Sequence, residues 1–142
     1  MDGIAAHVYG AAGILVNFEG LVIFEQELGP GFPEKISQNA LEQALEADRI
    51  PFIGEKAFRV GFRGAPVGSF KVDLLVEDRV VVEVKAITGM LPKVFEAQVV
   101  AYLKATGLPV GLLVNFGNMS CQVRRLVLRS RTNHRNHAVK SP

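Results

Sequence analysis

The chain has 142 residues, 49% of them hydrophobic and 21% charged, which suits one domain with a real core and excludes global disorder. Its one cysteine, Cys121, excludes an internal disulfide and a cysteine zinc cluster, and reads as a small apolar filler in a reducing compartment. The formal charge of +2 hides a split: Arg129, Arg131, Arg135 and Lys140 sit in an acid-free tail, and without them 12 basic face 14 acidic side chains in residues 1–128. By bulk charge that body is not a basic nucleic-acid-binding domain, so any grip on a phosphate backbone must come from local patches, a bound metal or the tail.

Residues 1–19 are an atypical lead-in, expected to be poorly ordered. Their first charge is Asp2, and Met1 to Phe18 contains no Lys or Arg, so the segment lacks the basic start of a secretory signal. No window is long and apolar enough to span a membrane, and the reading is a cytoplasmic protein. Residues 13–28 predict a helix, with Leu21, Phe24 and Leu28 at helical spacing, and Leu28-Gly29-Pro30-Gly31 predicts its stop and turn. A second helix is expected over about Phe32 to Arg49, with Ile36, Ala40, Leu41, Ala44 and Leu45 as its apolar stripe and Ile50-Pro51 as its end.

The period then changes to two. Phe58, Val60 and Phe62 alternate with Arg59, Gly61 and Arg63, which predicts a strand, and residues 64–68 predict a turn. Ser69 to Val76 and Val80 to Ile87 predict two more strands around a tight turn at Glu77-Asp78-Arg79. A third helix follows over about Pro92 to Thr106, closed by Gly107. Val110 to Phe116 reads as a strand covered on both faces, and Gln122 to Leu128 as the last strand. The expected class is α/β: a central mixed β-sheet flanked by helices. Residues 20–128 make up the domain, and 129–142 a basic, disordered tail.

The segment Lys71 to Ile87 carries the chemistry. With a three-residue turn at 77–79, Val76 faces Val80 and Asp73 falls opposite Glu83. Strict alternation puts Val72, Leu74, Val76, Val80, Val82, Val84 and Ala86 on one apolar face, and Asp73, Glu83 and Lys85 on the other. Two carboxylates directly opposite each other weaken a strand pair. A divalent cation would offset that repulsion, and one or two carboxylates completed by water and a substrate phosphate describe magnesium coordination. Lys85 would then position the attacking water or neutralise charge on the phosphoryl group. The plainer alternative is a solvated cross-strand charge ladder. Gln98, on the edge of the stripe Phe95, Val99, Tyr102 and Thr106, is either a polar border residue or a neighbour of the site. Glu34 is either a surface carboxylate at a helix start or part of the same site.

Asp73, nine residues, Glu83-Val84-Lys85 and then a helix with Gln98 resemble the D…ExK…Q signature of the PD-(D/E)XK nuclease superfamily. Further stretches resemble its small GxxExxY branch: residues 28–34, 73–77, 82–86, 96–98, 102–107 and 110–117, together spanning about residues 20–128. The resemblance implies a restriction-endonuclease-like core and a metal-dependent nuclease using Mg²⁺ or Mn²⁺ on nucleic acid, DNA rather than RNA. It implies Asp73 and Glu83 as metal ligands, with Lys85, Glu34 and Gln98 as catalytic residues. A homodimer, with two sites facing two strands, fits so small a nuclease. The alternative is a module on the same fold that binds nucleic acid or a partner without cutting. Two places depart: the GxxExxY motif reads Gly31-Phe32-Pro33-Glu34-Lys35-Ile36-Ser37, with Ser37 where the tyrosine belongs, and the N-terminal helix is atypical before Phe24.

Overall fold

The computed structural model describes residues 30–128 and 139–140. The helix expected over 13–28, the lead-in 1–19 and most of the tail lie outside the described residues. In chain order the described elements are α1 (Glu34–Ala47), β1 (Phe52–Phe62), β2 (Ala65–Val76), β3 (Val80–Lys85), α2 (Lys93–Thr106), β4 (Val110–Asn115), β5 (Gln122–Val127) and the two-residue β6 (Val139–Lys140). Five strands form a mixed sheet, with β6 added at one edge, in the order β5-β4-β3-β2-β1-β6. β3 and β4 are parallel and every other pair is antiparallel. A parallel pair needs a crossover, and α2 supplies it. This is the expected α/β class. No helix among the described residues is long and apolar enough to cross a membrane.

The helix ends follow local chemistry. Pro33 and Pro92 precede the first turns of α1 and α2, where a missing N–H costs no helical bond. Gly107 closes α2 at φ 73°, donating its N–H to Leu103 O at 2.9 Å. α1 buries Ser37, Gln38, Leu41 and Leu45, whereas Ile36 is 40% exposed. The helix is thus turned by about one residue from the expected stripe, and Ser37 faces the sheet.

Each face of the sheet has its own core. On the α1 side Leu41, Leu45 and Ile50 pack on Leu74, Val76, Val80, Val82, Val84, Leu112 and Val114, with half-buried Cys121 against them. On the α2 side Leu103 packs with Phe58, Val72, Leu75 and Val81, and Val99 with Leu91 and Leu113. Each such fully buried aliphatic side chain contributes about 1.5–3 kcal/mol over leaving it exposed. All six residues of β4 are buried, as a strand covered on both faces requires. α2 lies so close to β4 that a Cβ on Gly111 would collide with Val99.

Two expectations are corrected. The first hairpin turns at Arg63-Gly64, with φ 52° and 80°, and β2 already begins at Ala65. Positive φ at both central positions is what a two-residue hairpin turn demands. Pro66 is accommodated because this stretch of β2 has no β3 partner to receive an N–H. The second correction concerns the faces of β2. Val72 belongs to the α2-side core and Leu74 to the α1-side core, so the alternation slips at Asp73.

Candidate metal and phosphodiester site

The slip at Asp73 has a local cause. The β2–β3 ladder pairs Val76 with Val80, Leu75 with Val81 and Leu74 with Val82, then stops. Beyond it the backbone N–H of Asp73 donates to Glu83 Oε1 at 2.9 Å, and the N–H of Val84 donates to Asp73 Oδ2 at 2.8 Å. The two carboxylates therefore take the place of ladder carbonyls, exactly where the strands part. On the other side of β2, the Asp73 carbonyl accepts from Gln38 Nε2 at 3.2 Å, and Gln38 also donates to Glu42 Oε2 at 3.2 Å. On β1, Gly54 pairs with Leu74 and Lys56 with Val72, while Glu55 between them has φ 51°. Both polar groups of the Asp73 backbone are satisfied by side chains from other elements, which the low-dielectric setting requires.

The expected turn of three residues, 77–79, is present, and the expected level of Asp73 and Glu83 follows from it. Their relation is closer than two side chains standing opposite each other: each reaches the other's strand. Glu83 is 5% exposed. Burial, and then the charge of Asp73, push its carboxyl up to about 7. Burial also raises Asp73, opposed by the Val84 N–H bond and by Lys85. Glu34 is raised by burial too, is pulled down by Lys85, and feels Asp73. The first turn of α1 thus brings Glu34 into the field of the hairpin residues.

Lys85, the last residue of β3, holds its Nζ 4.4 Å from the centre of the Phe95 ring on α2. Gln98 lies one turn beyond Phe95. Its Oε1 is buried without a hydrogen-bond partner, and its side chain hydrogen-bonds Tyr102. The Tyr102 ring stacks on Phe70 with centroids 4.4 Å apart. Burial and then the charges of Glu83 and Asp73 raise its hydroxyl pKa, so the phenol belongs to the same electrostatic neighbourhood. All five residues singled out from the sequence therefore come to one region, with Lys85 and Gln98 both reaching it beside α2.

Sequence reasoning missed three contributors. Tyr102 reads from the sequence as part of the α2 core stripe, with its hydroxyl the one signal of more. Gln38, on the buried side of α1, carries the signal of any glutamine on a packed face. Asn115 is fully buried and joins the loop after β3 to the end of β4. Its Oδ1 accepts from Ile87 N at 2.8 Å and Gly117 N at 3.1 Å, and its Nδ2 donates to Ile87 O at 2.9 Å and Gln122 Oε1 at 3.1 Å. Gly117 sits so tightly on the Ile87 backbone that no side chain fits there. These bonds hold the exit of β3, and with it Lys85, in place.

The donor set fits a hard divalent cation. One oxygen of each carboxylate is engaged by a backbone N–H, and Oδ1 of Asp73 and Oε2 of Glu83 take no part in those two bonds. Three acids with raised pKa values mark negative charge concentrated in a desolvated place, which a cation would relieve. Among the described residues no group of three or more His, Cys, Asp or Glu side chains is placed to hold a metal ion by itself, so the protein would supply at most two such ligands. Few protein ligands, with the rest from water and phosphate, is the pattern of magnesium.

A family model of the PD-(D/E)XK nuclease superfamily matches residues 18–126, a span that holds every residue of this site. No curated protein and no solved structure matches the chain.

Proposed function

The chain belongs to the PD-(D/E)XK nuclease superfamily, and from that membership we propose that it is a metal-dependent nuclease hydrolysing phosphodiester bonds of DNA. The observation that carries this reading is the crossed pair of carboxylates, Asp73 and Glu83, at the point where β2 and β3 part, with Lys85 two residues farther along β3.

Asp73 and Glu83 would hold Mg²⁺ or Mn²⁺. When bound, the ion supplies Lewis acidity toward a non-bridging phosphate oxygen and lowers the pKa of a bound water. In the hydrolysis a water oxygen attacks phosphorus, the P–O bond to the leaving oxygen breaks, and that oxygen takes up a proton. The ammonium of Lys85 stabilises the negative charge that grows on the phosphoryl oxygens. Glu34, held near Lys85 and Asp73, orients a water at the edge of the site. Gln98, on α2 beside Tyr102 and one turn from Phe95, which Lys85 overlies, helps to position the lysine. Little base reading is expected, since phosphate contacts carry no sequence information.

Within the superfamily we assign the chain to the GxxExxY branch on its motif stretches. Ser37, buried at 2% exposure, occupies the tyrosine position on the face of α1 turned to the sheet. The test is direct. Purified protein is incubated with single-stranded, duplex and branched DNA and with RNA, in Mg²⁺, Mn²⁺ or EDTA, beside Asp73→Ala and Lys85→Ala. Metal-dependent cutting that both variants lose supports the nuclease. Binding of nucleic acid without any cutting identifies a non-cutting module instead.

A further inference from the structure

β1 and β2 are 11 and 12 residues long, but β3 has only six. Because β3 pairs with β2 only over Leu74 to Val76, the rest of the β1–β2 hairpin overhangs the sheet. The overhang starts at Asp73, so the β1–β2 arm, joined by β6 at Arg59 and Val60, springs directly from the proposed site. At a strand rise of about 3.3 Å per residue it reaches roughly 27 Å to its turn.

The charge of this arm is one-sided. Residues 56–72 contain Lys56, Arg59, Arg63 and Lys71 and no acid, in a body where acids outnumber bases. Phe58 pairs with Phe70, and both turn toward α2, where Phe70 stacks on Tyr102. Their neighbours Arg59 and Lys71 therefore project from the opposite face. Arg59 pairs with Ser69 and Lys71 with Ala57, and Arg59, Ser69 and Lys71 are all exposed. Exposed Arg63 stands at the turn, its guanidinium 5.0 Å from the Phe62 ring. Counted in strand rises from Asp73, Lys71 and Arg59 fall at roughly 7 and 13 Å on this face, and Arg63 stands at the tip at roughly 27 Å.

We propose that the open face and tip of the β1–β2 arm form a clamp for the sugar–phosphate backbone of duplex DNA, gripping it through Lys71 and Arg59 on the face and Arg63 at the tip, on one side of the scissile phosphate. The proposal rests on the nuclease reading and names how its substrate is held. Charge complementarity selects a polyanion. A single-strand channel uses successive aromatic platforms, and the aromatic residues of the arm, Phe58, Phe62 and Phe70, alternate onto the face opposite Arg59 and Lys71. Pairing with a second protein strand is disfavoured because β6 already lines the outer edge of β1 at Arg59 and Val60. At 3.4 Å per base pair the arm would track about eight base pairs.

Salt dependence tests this without any cutting. A fluorescein-labelled duplex of about 24 base pairs, three arm lengths, is titrated in EDTA from 50 to 200 mM salt, and the slope of log affinity against log salt is read. Losing three phosphate contacts in Arg59→Ala/Arg63→Ala/Lys71→Ala lowers the slope magnitude by about 2.7, so that wild type loses roughly 40-fold more affinity than the variant over that range. The charge-preserving variant Arg59→Lys/Arg63→Lys/Lys71→Arg retains the wild-type slope, which separates charge from damage to the hairpin. Arg124→Ala/Arg125→Ala, in exposed β5 across the sheet, also retains it. A triple alanine variant with the wild-type slope overturns the clamp. If wild type still cuts DNA in that case, the nuclease reading stands alone. Wild-type protein that neither binds nor cuts duplex DNA overturns both.

Discussion

At about pH 8, Glu83→Gln should make the metal-free protein more stable while abolishing its activity. Glu83 is 5% exposed, and its carboxyl is pushed from 4.5 to about 7 by burial and by Asp73. Its ionised form is therefore unfavourable in the fold and harmless in the unfolded chain. Because the folded pKa lies above the unfolded one, the folded state holds more protons between these values, and stability falls as pH rises from about 4.5 through about 7. The shift corresponds to about 3 kcal/mol at pH values above both. Glutamine keeps an oxygen to accept the Asp73 N–H but has no charge to desolvate. For a chain of this size the variant should melt about 10 °C above wild type near pH 8 in EDTA. The two should melt together near pH 4.5, where Glu83 is protonated in wild type. Thermal melts followed by circular dichroism across pH 4.5–8 read the difference. A gap that is absent at pH 8, or equal at both ends, refutes the claim that Glu83 is a destabilising, desolvated acid.

Lys85→Met should lower the cutting rate by roughly 10²–10³-fold, as for loss of a donor to developing charge, with the melting point near that of wild type. Tyr102→Phe keeps the stack on Phe70 and removes the hydroxyl that lies in the field of Glu83 and Asp73; a loss of metal affinity of up to roughly 10-fold, read by Mn²⁺ titration, is expected if the hydroxyl turns to the ligands when the ion binds. Asn115→Ala leaves the Ile87 and Gly117 N–H groups without their acceptor and should cost about 3 kcal/mol in urea unfolding. A cost under about 1 kcal/mol would show that the loop closes without it.

Much of the site was legible because its key step is local. Three residues at 77–79 set the register of the hairpin, and the register sets Asp73 level with Glu83. The end of α2 was legible for the same reason, since a glycine after Thr106 needs no distant partner to act as a cap. The slip at Asp73 was not legible. Alternation assumes an uninterrupted pleat, and this pleat is broken by Glu83 and Gln38, which are 10 and 35 residues away in the chain. That is why Val72 and Leu74 face different cores. The turn of α1 that buries Ser37 rather than Ile36 has the same origin, in the sheet that receives the helix. Glu34 was ambiguous in the sequence because a helix-start carboxylate explains itself locally; only the tertiary placement of Lys85 and Asp73 gives it company.

The central claim is that Asp73 and Glu83 share one divalent cation. Mn²⁺ binding followed by electron paramagnetic resonance, with no substrate present, tests it most directly. Wild-type protein should bind one Mn²⁺ per chain, displaceable by Mg²⁺, and both Asp73→Asn and Glu83→Gln should abolish that binding while remaining folded. Undiminished Mn²⁺ binding in either folded variant would contradict the account.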